Sequence, residues 1–101
     1  MNEKIKRRNV RFESSPGSLG WICFGTTLLH EFTPSLPCLV IEESLGGCGI
    51  ILHWDGKLNV GDRLIIKVDQ LEPVKAEIRF INSILKHVFH IGLLYDQENI
   101  S

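Results

Sequence analysis

Apolar residues in this 101-residue chain alternate with polar ones far more often than they recur at helical spacing, and they do so in short runs. The clearest run is Val74–Ile81, where Val74, Ala76, Ile78 and Phe80 share one face and Lys75, Glu77, Arg79 and Ile81 the other. Such a pattern predicts a half-buried strand with one wet face. Similar runs predict strands at about Leu19–Gly25, Cys38–Glu42, Cys48–Trp54, Arg63–Asp69 and Lys86–Tyr95. In the first of these, Trp21 and Cys23 face one way and Ile22 and Phe24 the other.

The connections carry turn chemistry. Ser14-Ser15-Pro16-Gly17, Ser44-Leu45-Gly46-Gly47, Asp55-Gly56, Asn59-Val60-Gly61-Asp62, Glu72-Pro73 and Asn82-Ser83 all read as turns or loops, with Asp55-Gly56 expected to supply positive φ. Thr33-Pro34-Ser35-Leu36-Pro37 is expected outside the sheet, because proline lacks the ladder donor. Six strands with short connections must protect their edges by closing on themselves. The predicted fold is therefore all-β, a six-stranded antiparallel barrel over residues 14–96. A basic arm (1–13) precedes it, and a tail (97–101) too short for more than one helical turn follows.

Composition is that of an ordinary folded domain, with 44% hydrophobic and 23% charged residues. No apolar run approaches the roughly 18–20 residues of a membrane helix, and the charged N-terminus does not resemble a signal peptide. A cytoplasmic protein without membrane insertion is expected. Cys23, Cys38 and Cys48 lack Cys-x-x-Cys spacing and read as reduced thiols, with a disulfide between two of them as the alternative. His87 and His90 would fall on opposite faces of a strand, and His30 and His53 have no companions at ligand spacing, so no metal site is expected. Nothing resembles a nucleophile with its base. Neither catalytic residues nor a cofactor are expected, and the chain does not read as an enzyme.

Charge changes the picture. Five of the eleven basic residues, Lys4, Lys6, Arg7, Arg8 and Arg11, lie in the first eleven positions. With Glu3 that head carries +4, leaving −5 for the remainder and −1 overall. Its self-repulsion predicts a mobile arm that takes up an anion. Arginine forks suit phosphate oxygens and the O6/N7 edge of guanine. A second candidate element is Glu42-Glu43-Ser44-Leu45-Gly46-Gly47. In an extended chain Glu42 and Ser44 point together and Glu43 away, while Gly46 and Gly47 let a ligand approach the backbone. A carboxylate there can accept from N1 and N2 of guanine.

Together these segments resemble the PilZ domain family. Arg7-Arg8-Asn9-Val10-Arg11 matches its RxxxR, and Glu42 to Gly47 lies close to its (D/N)xSxxG. Leu58 to Asp62, Ala76 to Phe80 and His90 to Leu93 agree as flanking landmarks, so the likeness spans residues 5–96. The resemblance implies a bacterial receptor for cyclic di-GMP, bound by Arg7, Arg8, Arg11, Glu42, Ser44, Gly46 and Gly47. An extended Arg7–Arg11 segment spans about 13 Å at ~3.3 Å per residue. Ordering it around the ligand would create a surface for a protein effector.

Glu42 departs from the family's Asp or Asn by one methylene. A displaced acceptor costs about 1–3 kcal/mol where it leaves a buried donor unpaired, roughly ten- to hundredfold in affinity. That opens a second reading, a PilZ-like protein-interaction module of pilus assembly or motility with weak or no ligand binding. A third reading is a nucleic-acid-binding barrel. It is disfavoured because the body carries −5 and shows no basic, aromatic-interleaved strand. Arg79 reads as a surface charge, and Trp21, Trp54 and Phe80 as core.

Overall fold

The computed structural model describes residues 17–25 and 33–96. Among them there is no helix, and six strands form: β1 (Ser18–Phe24), β2 (Leu36–Glu43), β3 (Gly47–His53), β4 (Arg63–Val68), β5 (Val74–Leu85) and β6 (Val88–Tyr95). All neighbours pair antiparallel, and the sheet closes as a barrel in the order β1-β2-β3-β6-β5-β4. Closure comes from β1 against β4, with Ile22 opposite Ile66.

Alternation puts one face of every strand inside. Ile22, Val40, Ile50, Leu52, Leu64, Ile66, Val68, Ile78 and Ile91 are essentially inaccessible. Each contributes about 1.5–3 kcal/mol of transfer free energy. Phe24 and Trp54 lie against this core with ring centroids 5.3 Å apart. Cys38 and Cys48 are buried, Cys23 is half-buried, and all three are free thiols.

Several local expectations are corrected. Pro37 lies inside β2, opposite Trp21. It is exposed at the second position of the strand, where a missing N–H is tolerated. Neither Asp55 nor Gly56 takes positive φ. The left-handed residue of the β3–β4 connection is Gly61, at φ 98°. There Asn59 and Asp62 lock the turn, the Asp62 N–H donating to the Asn59 carbonyl and the Asn59 N–H to Asp62 Oδ2. Asn82 and Ser83 do not turn, because they pair with His90 and Phe89 and carry β5 on to Leu85. Pairing with β6 overrides their weak strand preference. The turn falls at Lys86-His87, with His87 at φ 62°.

Two register shifts matter most. One lies in β2 between Val40 and Glu42, the other in β5 between Ile78 and Phe80. Each inserts a residue and swaps the two faces of the strand beyond it. Phe80 is thereby turned out of the core to 40% exposure, whereas Ile81, expected on the wet face, packs against the core.

Candidate functional site

The site grows from one cross-strand row on the outer face of the barrel. Glu42 of β2 stands opposite Gly49 of β3, Gly49 opposite Gly92 of β6, and Gly92 opposite Phe80 of β5. Glycine at both middle positions leaves room for the tall side chain on either side, and both glycines are buried beneath them. Those side chains lean inward. A Cβ on Gly49 would lie 2.6 Å from Glu42 Oε2, and one on Gly92 would meet the Phe80 ring at 2.1 Å. The hollow between them has a volume of about 390 Å³, and Ser44, Gly46, Gly47 and Arg79 also line it.

The β2–β3 turn supplies one rim. The Ser44 N–H and hydroxyl both donate to the Gly47 carbonyl, at 2.9 and 3.3 Å. Ser44 Oγ therefore presents its lone pairs outward as an acceptor. The two glycines of this turn differ. A Cβ on Gly47 would collide with the Leu93 carbonyl oxygen at 2.0 Å, so the fold itself demands glycine there. A Cβ on Gly46 would touch nothing within 4 Å. Gly46 also needs no positive φ, so its lack of a side chain serves nothing within the described fold.

Glu43 and Glu42 diverge as alternation predicts. Glu43 accepts a hydrogen bond from the buried Tyr95 hydroxyl at 2.9 Å. Burial foremost, then Cys48 and Glu43, push the Tyr95 phenol far up. Burial and the neighbouring Cys48 push the Cys38 thiol up to about 12. These groups stay protonated and belong to the barrel core. Glu42 instead remains largely exposed, its Oε2 3.6 Å from His90 Nε2. That separation is ion-pair range and too long for a hydrogen bond.

The structure brings Glu42, Ser44, Gly46 and Gly47 to one place. Arg7, Arg8 and Arg11, with the rest of the basic arm, lie outside the described residues. No family model matches the chain, and neither a curated protein nor a solved structure matches it. Phe80 is the residue that the alternation of its strand places elsewhere, inside the core. Arg79 is exposed, as its pattern predicts, and lines the hollow without an ion pair among the described residues. Simple alternation would bury Phe80, and the register shift in β5 exposes it. The signal that could have found it is Gly92, which marks a strand position where another side chain lies across the backbone. No group of three or more metal-ligating side chains occurs among the described residues.

The hollow thus offers a carboxylate, a hydroxyl acceptor, a cation and one exposed aromatic ring. It can take a flat polar ring with donors along one edge and an anionic substituent. A guanine nucleotide has that form.

Proposed function

We propose that this protein is a receptor for cyclic di-GMP that acts as an adaptor toward a protein effector. The observation that carries the reading is the convergence of Glu42, Ser44 and Gly46 with Arg79 and Phe80 on a single outer hollow of about 390 Å³. One guanine half of the dinucleotide enters it. Glu42 accepts from the N1 and N2 donors, Ser44 Oγ takes a further donor, and the Phe80 ring supplies a stacking face. Arg79 meets a phosphate. Arg7, Arg8 and Arg11 close from the N-terminal side on the remaining phosphate and on guanine O6/N7. The closed arm and the ligand then form the surface that the effector recognises, and no covalent chemistry is involved.

Calorimetry with cyclic di-GMP tests the reading on the wild type, an Arg7→Ala/Arg11→Ala double variant and Glu42→Ala. Saturable heat in the wild type that is lost in the arginine variant, with Glu42→Ala weakened about ten- to hundredfold, is the expected result. No heat from the wild type overturns it. A second reading, a protein-interaction module on the same barrel, is favoured by the hairpin tip, where Ile84 is 50% and Leu85 67% exposed. Unaltered effector binding without the nucleotide would select that reading.

A further inference from the structure

His90 is the group that the guanine reading leaves unused. It stands on the outer face of β6 between Ile51 of β3 and Asn82 of β5, two residues before Gly92. Its ring meets Phe80 edge-on, with centroids 5.1 Å apart and planes at 85°. Its Nε2 is buried and has no hydrogen-bond partner. Glu42 Oε2 is the charged atom it faces, 3.6 Å away. The Glu42 side chain reaches toward it only because Gly49 has no Cβ, which would sit 2.8 Å from Glu42 Cγ.

Other charged or titratable groups on the packed strands are few. Arg79 of β5 lines the same hollow. His53 of β3 is on the outer face, but its ring lies against His87 at 6.3 Å. Asn82 of β5 is uncharged, and His90's own strand presents Gly92 and Leu94 on that side. Glu42 is therefore the partner to which a proton on His90 matters.

We infer that His90 is a positioning residue for the Glu42 carboxylate, and that its protonation draws this carboxylate away from a guanine edge. The inference rests on the reading of the hollow as a guanine site. Neutral imidazole leaves Glu42 free to accept from N1 and N2. Imidazolium turns the 3.6 Å approach into a charge-assisted pair and withdraws that acceptor. Histidine as a residue type changes charge between about pH 5 and 8, which sets the range of the test. The extra methylene of Glu42 is what lets the carboxylate span both positions, a reach that the shorter Asp would lack.

The test is calorimetry with cyclic di-GMP at pH 7.5 and 5.5 on the wild type, His90→Gln and Glu42→Gln. A parallel measurement without nucleotide follows the Glu42 side-chain carbonyl carbon by NMR over the same range. The wild type should bind about threefold to tenfold more weakly at the lower pH. Both variants should lose that dependence, and the Glu42 resonance should move in the wild type but stay still in His90→Gln. Equal affinity at both pH values, or the same pH dependence in His90→Gln, overturns the inference. Absence of heat with a moving Glu42 resonance rejects the guanine reading while upholding the His90–Glu42 pair. A static resonance rejects the pair itself.

Discussion

Strands β2, β3, β6 and β5 carry two neighbouring cross-strand rows that face opposite ways. The inner row is Glu43, Cys48, Leu93 and Ile78, and the outer row is Glu42, Gly49, Gly92 and Phe80. In the inner row side chains fill the space and hold the sheet together. In the outer row the two middle side chains are absent and the flanking ones lean over the gap. One backbone thus makes a packed wall on one side and a recess on the other, and the choice is written in residue size alone. The register shifts in β2 and β5 bring Glu42 and Phe80 into that outer row.

If the inner row carries stability, Ile78→Ala should cost about 2–5 kcal/mol, measured by urea unfolding. Ile78 is fully buried, so a loss below 1 kcal/mol would break the comparison. Next in size is Gly47→Ala, where the new Cβ strikes the Leu93 carbonyl oxygen. It should destabilise the barrel by about 1–3 kcal/mol. Gly46→Ala in the same turn meets no atom. It should leave the melting temperature unchanged and weaken cyclic di-GMP, because its methyl group narrows the approach to the backbone. Opposite behaviour of adjacent glycines would separate a folding requirement from a binding one.

The inner side should also announce itself at alkaline pH. Folding raises the Cys38 thiol from 9.0 to about 12, so the folded state keeps a proton that the unfolded chain releases. That contribution is fully present below pH 9 and fades as pH rises toward about 12. Between pH 9 and 10 about 1 kcal/mol of it is lost. Thermal unfolding at these two pH values should show the drop in the wild type and a smaller one in Cys38→Val. The raised Tyr95 phenol adds loss of the same sign at higher pH. Smallest of all, Arg63→Ala removes surface ion pairs to Asp96 and Glu77 and should cost under about 1 kcal/mol.

The regular parts of this molecule were legible from sequence for a physical reason. Inside this closed barrel the fully buried positions are apolar, so Val74, Ala76 and Ile78 reveal their strand without help from any neighbour. The divergence of Glu42 and Ser44 from Glu43 was legible on the same ground. What escaped were features decided by a partner strand. Simple alternation places Phe80 inside and Ile81 outside, and only the register against Gly92 and Ile91 reverses them. Arg79 enters the hollow through the same bulge. Pro37, Asn82 and Ser83 carry turn or breaker signals that pairing with β1 and β6 overrides. The 3.6 Å approach of His90 to Glu42 joins residues 48 positions apart, and no local pattern marks it.

Amide NMR during titration with cyclic di-GMP shows whether the outer hollow receives a guanine base. Resonances of Gly46, Gly47, Gly49, Phe80 and Gly92 should shift together and saturate, while those of Ile84 and Leu85 at the hairpin tip stay in place. Saturable shifts confined to the tip, or no shifts at all, would contradict this reading.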